Sequence, residues 1–454
     1  MTASYTPQPA SHSTHSTHST PHRMDSSGGC PHAANAALLA KGAAAEVLLP
    51  GDVPAAAVLG HEALKEFIGH PDVAKNARHF TALREGRIPD GWPLRTFATV
   101  QGMVTSDGDD HRRLRSLVSK AFTARRVEEL RPGIERLTDE LLDGVEAAAA
   151  GADGGGAGSD GAGSDGAEGD GADSGVSDRA GDGVVDLRAL FALPLPMRVI
   201  SELLGVDEEF QDRLHVLSNQ VVATDIGPEE AVAANREMVA VLSAVAASRK
   251  ARPGDDLTSA LIAAREEDGD RLGEAELIGT MIVMIIAGHE TTLNLITNAV
   301  RALCAHRDQL ELIRAGGADW TDAVEETLRW DSPVSFFPFR YPTRDLTVDG
   351  TLIPAGTPVL AGFSAAGRDP AAHGPDADRF DIGRRTRSTT RHLSLGHGAH
   401  YCLGAPLARM ETTIALRRLF GRFPDLRVAV PEEELPRHRS FVGNSVRELP
   451  VVLR

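Results

Sequence analysis

The sequence predicts a mainly α-helical protein with a small β portion, and three observations carry that prediction. "ARRVEELRPGIERLTDELLDGV", "REMVAVLSAVAASRK" and "PLARMETTIALRRLFGRF" repeat apolar residues at three-to-four spacing, the period of a helix with one buried face. β-Branched runs broken by Gly and Pro cluster in one place, "DLTVDGTLIPAGTPVLAGFSAAG". "EAELIGTMIVMIIAGHETTLNLITNAVRALC" reads as one helix of about 30 residues, roughly 45 Å long. From Leu277 to Ala287 it is apolar nearly all round, Gly279 and Thr280 apart, so it should run through the protein's centre.

Composition sets the outer limits. Of 454 residues 42% are hydrophobic, enough for a large core. Cys30, Cys304 and Cys402 are too few and too scattered for a disulfide framework, which points to a reducing cytoplasm. A net charge of −17 disfavours nucleic acid as a partner. Eight acids against one arginine within residues 151–183 account for −7 of it, so the remainder is only mildly acidic. No run reaches the apolar length of a membrane span, and the start of the chain has neither a basic n-region nor an apolar core.

Length alone suggests two or three domains. The motifs below instead join residues 31–454 into a single domain. Residues 1–30 are a Ser/Thr/His/Pro tail with nothing to bury, expected to be disordered; His12, His15, His18 and His22 read as solvated rather than as metal ligands. Met24 offers an alternative start. A Gly/Asp-rich stretch at about 144–183 is expected to be a disordered insertion between helices, which costs little extra loop entropy.

In the long helix, "AGHETT" breaks the apolar pattern with Gly288, His289, Glu290, Thr291 and Thr292. A buried acid beside hydroxyls is costly unless it is used or fully hydrogen-bonded. The Thr291 hydroxyl can bond the Ala287 carbonyl four residues back, and Gly288 leaves room for a small ligand that Glu290 and Thr291 could supply with protons. A plain helix bend with a solvated carboxylate accounts for the segment equally well. Further on, "TDAVEETLRW" is a short helix with Asp322 and Glu325 placed like a capping box and with Glu326 and Arg329 on one face.

"LSLGHGAHYCLG" sets Cys402 among Gly396, Gly398, Gly404, His397 and His400. The histidine spacings match no common zinc site. An inert buried thiol leaves the glycines unexplained. A thiolate ligand to haem iron explains both, since a flat macrocycle needs close backbone approach. The following helix start would favour the ionised sulfur.

With these residues the chain resembles the cytochrome P-450 superfamily, the haem-thiolate monooxygenases, from about residue 31 to the end. Gly398, Cys402 and Gly404 match the F-x-x-G-x-x-x-C-x-G signature, with Leu395 where the family usually has an aromatic. The resemblance implies that fold, with haem b between the long helix and the cysteine helix, and Cys402 as axial iron ligand. It makes Glu290 and Thr291 the catalytic acid–alcohol pair and Glu326, Arg329 and Arg379 a buried ion-pair group. His111, Arg115, Ala287, Gly288, Arg340, Gly396, His400 and Gly404 would contact haem, several through its propionates. Trp92, Ala287, Phe336 and Phe337 would wall the substrate pocket.

The implied reaction inserts one oxygen atom from O2 into an apolar macrolide, steroid or polyketide-like molecule. No flavin or nicotinamide fingerprint and no iron–sulfur cysteine cluster is present, so neither bound flavin nor zinc is expected, and electrons should come from a separate ferredoxin and its reductase. Arg384, Arg385, Arg387 and Arg391 would form a basic docking patch. The protein is expected to be a cytoplasmic monomer. The alternatives are a peroxide-driven or non-oxygenase haem enzyme, or a haem sensor or carrier without turnover.

Overall fold

The computed structural model describes residues 21–24, 30–154, 183–224, 226–264 and 271–454. Its strands are β1 (His22–Arg23), β2 (Ala44–Leu49), β3 (Val53–Val58), β4 (Val73–Ala74), β5 (Val184–Asp186), β6 (Phe336–Pro342), β7 (Leu346–Val348), β8 (Thr351–Ile353), β9 (Val359–Gly362), β10 (Arg427–Val428) and β11 (Pro450–Val452). Six of them form one mixed sheet in the order β1-β2-β3-β9-β6-β4. Sequence reasoning located the β7–β8 hairpin and β9 but not β2 and β3. "AAEVLL" and "VPAAAV" are too rich in alanine to signal a strand. They pair in register from Ala44 opposite Val58 to Leu49 opposite Val53, and β3 is held by β9 some three hundred residues later. Burial of Ala56, Ala57 and Val58 against that non-local partner overrides their weak propensity.

Two boundaries differ from expectation. Residues 22–24, placed in the disordered tail, instead extend the sheet: β1 runs parallel to β2, and Met24 is buried. Residues 1–20 and 25–29, with His12, His15 and His18, lie outside the described residues. The Gly/Asp-rich stretch was placed from about 144, yet helix α2 runs through that point to Gly154; residues 155–182 lie outside the described residues.

The helices that position the site are α1 (Gly108–Ala121), α2 (Arg131–Gly154), α3 (Pro194–Leu204), α4 (Gln211–Val222), α5 (Pro228–Ala251), α6 (Glu274–Ala305), α7 (Trp320–Trp330) and α8 (Ala405–Arg422). The long helix predicted from Glu274 is α6. It starts where the Glu276 carboxylate accepts the Gly273 N–H at 2.8 Å. α5 and α6 are each long and apolar enough to cross a membrane by composition, but the second half of α6 is buried almost completely among α3, α7 and α8. Gly279 lets it pass close to the chain before α1, since a Cβ there would lie 1.8 Å from the Gln101 carbonyl. The capping box of α7 sits one turn earlier than expected. The Asp322 carboxylate accepts from the Asp319 N–H at 2.9 Å, which leaves Glu325 free for other partners.

The expected ion-pair group also changes membership. Arg329 makes a two-pronged bond to Glu326 at 2.7 and 2.8 Å, both side chains buried. Its other donors reach the carbonyls of Gly367, Ala377 and Arg379 at 2.6–2.8 Å. Arg379 therefore contributes only its backbone, and its side chain is exposed. The second cation on Glu326 is Arg384, at 3.5 Å and itself buried.

Candidate active site

The cysteine loop is bent back on itself by its backbone. The Leu395 carbonyl accepts the Cys402 N–H at 2.8 Å, and Gly396 and Gly398 hold φ of 77° and 68°, values that side chains rarely adopt. Gly404 has an ordinary φ, and a Cβ there would make only an ordinary contact, 3.9 Å from the Cys402 sulfur, so neither its backbone nor its packing within the protein requires glycine. Glu325 ties the loop to its surroundings, accepting from Arg409 of α8 at 2.5 Å and meeting His392 at 3.3 Å. The Cys402 sulfur lines a cavity, and the sulfur's exposure is to that cavity. Burial pushes the thiol up, and the N–H groups of Gly404 and Ala405 with Arg409 and Arg115 do not fully offset it. The start of α8 alone therefore does not ionise the sulfur, contrary to expectation; a bound metal cation would.

At one end of the same cavity stands a group of basic side chains that, among the described residues, no carboxylate hydrogen-bonds. Antiparallel pairing of β4 with β6 sets Ala74 opposite Tyr341, which brings the next residue, Lys75, near Arg340. Both side chains are buried, and each charge is disfavoured, Lys75 strongly and Arg340 down to about 10. Among the described residues, Lys75 Nζ meets the Pro338 carbonyl at 3.5 Å and lies 5.0 Å from the Phe337 ring centre, and Arg340 Nη1 and His111 Nε2 have no hydrogen-bond partner. Arg115 donates to the Tyr401 carbonyl at 2.8 Å, and the His400 ring packs on His111 with centroids 4.1 Å apart. Asp107 bears on this group, but its carboxylate oxygens accept the N–H groups of Lys75 and Asn76. Such a cluster is costly unless an anion completes it. The two propionates of haem fit that need, with Cys402 on the same cavity to take the iron.

α6 forms the facing wall through Ala287, Gly288, Thr291 and Thr292. Thr291 Oγ1 donates to the Ala287 carbonyl at 2.7 Å, as its spacing predicts. Gly288 serves close packing rather than leaving a notch, since a Cβ there would strike Ile200 of α3 at 2.7 Å. Glu290 does not line the cavity. Its carboxylate faces Arg188 at 3.9 Å and His289 at 3.8 Å, and its Oε2 is buried without a hydrogen-bond partner among the described residues. Burial pushes that carboxyl up, but Arg188, His289, His438 and His215 outweigh it, so Glu290 is held ionised. Arg188, fully within the core, is fixed by Asn294, Thr297 and His438. His289 Nδ1 bonds the Ile285 carbonyl at 2.7 Å and its Nε2 meets His215 Nδ1 of α4 at 3.2 Å. Burial lowers both imidazoles, His215 to about 4.

The cavity encloses ≈ 1510 Å³ including its open end, and side chains such as Ile200, Leu203, Met284 and Leu295 make it largely apolar. Ala287 and Phe337 line it as expected. Trp92 and Phe336 do not. Trp92 is buried against Phe339, centroids 5.7 Å apart, with its indole N–H on the Pro50 carbonyl, and Phe336 belongs to the same separate core. They alternate with or lie beyond the cavity-facing residues, which local sequence does not reveal. The docking patch also shrinks. Arg384 is buried, while Arg385, Arg387 and Arg391 are exposed, Arg385 pairing with Asp322 at 3.3 Å and Arg387 with Asp381. Sequence reasoning missed Lys75, Arg188 and His215, whose isolated positions carry no motif. It also missed Glu411, a cavity-lining acid on α8 that burial holds neutral.

Comparison with known proteins agrees with this geometry. The family model "Cytochrome P450" matches residues 320–444. The chain is 38% identical over 435 residues to 2-hydroxy-5-methyl-1-naphthoate 7-hydroxylase of Streptomyces carzinostaticus, covering 96% of this chain and 98% of that one. It is 39% identical over 361 residues to 6-deoxyerythronolide B hydroxylase of Saccharopolyspora erythraea, covering 79% and 78%. The solved structure of CYP154C4 from Streptomyces sp. W2061 superimposes with a TM-score of 0.85 at 39% identity, covering 96% and 98%.

Proposed function

The chain belongs to the cytochrome P450 family and is a monooxygenase with haem iron as cofactor; from that premise we propose that it hydroxylates an apolar macrolide, steroid or polyketide-like molecule with electrons from a separate ferredoxin and its reductase. One observation carries the reading: Cys402 and Thr291 face a single apolar cavity whose wall also holds buried cations that, among the described residues, no carboxylate hydrogen-bonds. The relatives support the substrate class, since by name they hydroxylate a naphthoate and 6-deoxyerythronolide B. A cytoplasmic monomer is part of the same proposal.

Haem b would be held by Cys402 on its iron and by Lys75, Arg340, His111, Arg115 and His400 on its carboxylates. Bound there, it supplies the activation of O2 and the insertion of one oxygen atom into a C–H bond. The chain's own residues then have separate tasks. Apolar side chains such as Leu203, Met284 and Leu295 exclude water and hold the substrate. Thr291 presents its hydroxyl at the cavity wall, where it can hold and pass on a proton. Glu290, ionised and turned away from the cavity, takes up protons on the other side of α6.

Absorption of the dithionite-reduced protein under carbon monoxide tests the cofactor half, with a strongly red-shifted Soret band expected. A Soret band typical of a neutral ligand would show Cys402 protonated or displaced. Product formation that requires ferredoxin, reductase and O2 tests the other half. Product from peroxide alone would favour the peroxide-driven reading.

A further inference from the structure

α4 and α6 bring three ligand-type side chains together away from the cavity wall. His215 Nδ1 and His289 Nε2 are 3.2 Å apart, His289 Nε2 and Glu290 Oε2 are 3.8 Å apart, and all three atoms lie within 4.8 Å of one another. We infer that His215, His289 and Glu290 form a reversible inhibitory site for a divalent transition metal of the zinc type.

The spacing carries the inference first. Zinc bonds of about 2.0–2.1 Å in a tetrahedron hold their donor atoms roughly 3.3–3.4 Å apart, so two of these gaps need only small adjustments. The second support is ligand orientation. His289 gives its Nδ1–H to the Ile285 carbonyl, which leaves the Nε2 lone pair directed at His215; a backbone carbonyl behind a ligating imidazole is the usual way proteins aim one. The third is Glu290 Oε2, buried and, among the described residues, without a hydrogen-bond partner.

In the metal-free protein a proton fills the gap. His215 Nδ1–H donates to His289 Nε2, and the Asn219 side-chain amide at 3.1 Å meets His215 Nε2. A metal entering must displace that proton. Arg188, 3.9 Å from the other Glu290 oxygen, opposes any cation, so the site suits a reversible ligand rather than a resident one. His215 is half-buried on α4 and provides the entry. Because Glu290 would be both ligand and proton acceptor, occupation stops proton uptake. The binding half of the inference stands without the monooxygenase reading, and the inhibitory half rests on it.

Zinc ions are titrated into the haem-loaded full-length protein and its His215→Ala and His215→Gln variants, with a chromogenic chelator as competitor. The wild type should bind one more zinc than either variant, or bind it about tenfold or more tightly. The tail histidines are common to all three proteins and cancel. X-ray absorption should give N/O ligands only. Zinc should depress ferredoxin-driven product formation at least tenfold in the wild type, reversibly by chelation, and not in the variants. Equal zinc binding by wild type and both variants overturns the site, and equal inhibition overturns its role. Absence of the red-shifted Soret band in all three would fail the functional reading alone, since zinc binding is counted independently.

Discussion

Thr291 spends its hydroxyl proton on the Ala287 carbonyl, so in this state its oxygen is an acceptor at the cavity wall. Replacing it with alanine leaves α6 intact and removes the one hydroxyl in that position. Thr291→Ala should lower product formed per electron pair by about tenfold or more, with Thr291→Ser restoring most of it. Glu290→Gln keeps the shape but not the charge, and should lower kcat about 100-fold with KM little changed. Lys75 leads to a prediction of opposite signs. No carboxylate among the described residues hydrogen-bonds its buried side chain, so Lys75→Met should stabilise the haem-free protein while weakening haem retention. Thermal melts with and without haem, and haem transfer to apomyoglobin, measure the two. Cys402, Glu290 and Thr291 were legible in the sequence because their chemistry is packed into a few adjacent residues. Lys75 was not, since nothing in "VAKN" tells that β4 will lay it beside Arg340.

At the level of elements, α7 and the chain after it are joined through one buried guanidinium. Arg329 links α7 to the carbonyls of Gly367, Ala377 and Arg379, and Glu326 balances its charge while accepting the Asp381 N–H at 2.8 Å. Glu326→Ala strands that charge and should cost about 3–5 kcal/mol in urea unfolding. Arg379→Ala removes an exposed side chain and should change stability by less than about 0.5 kcal/mol. The pair distinguishes the observed arrangement from the expected one. Helices α6 and α8 were readable from their long apolar or periodic patterns, and the short α7 from its acidic start and its following Ser-Pro. β2 and β3 were not, because their alanines become strand only once β9 arrives to pair with them.

For the molecule as a whole, pH dependence follows from groups that burial holds out of their usual state. His373 is buried with Nε2 unpartnered, and burial, helped by Arg329 and His61, lowers it to about 3. The unfolded chain takes up that proton below about pH 6.5 and the folded one does not, so stability is lost as pH falls from 6.5 toward 3. Burial pushes Glu325 up, but His392 and Arg409 outweigh it and bring it to about 2. Its contribution is complete above about pH 4.5 and fades as pH falls toward 2. Urea midpoints should therefore begin to fall well above the carboxylate range. His373→Asn should make the upper limb shallower, the other buried histidines keeping part of it, and leave the lower, while Glu325→Gln should do the reverse.

The second sheet, in the order β10-β11-β5, takes its middle strand from Pro450–Val452, almost the last residues of this chain, and Val451 there is wholly buried. β5 leads directly into Arg188. Among the described residues, β5 and β10 pair only through β11, so the arginine that holds Glu290 ionised is locked in only once residues 450–452 have docked. Assembly of the proton side of α6 thus waits on a strand some 160 positions downstream, and Val451→Asp in β11 should be felt at Glu290.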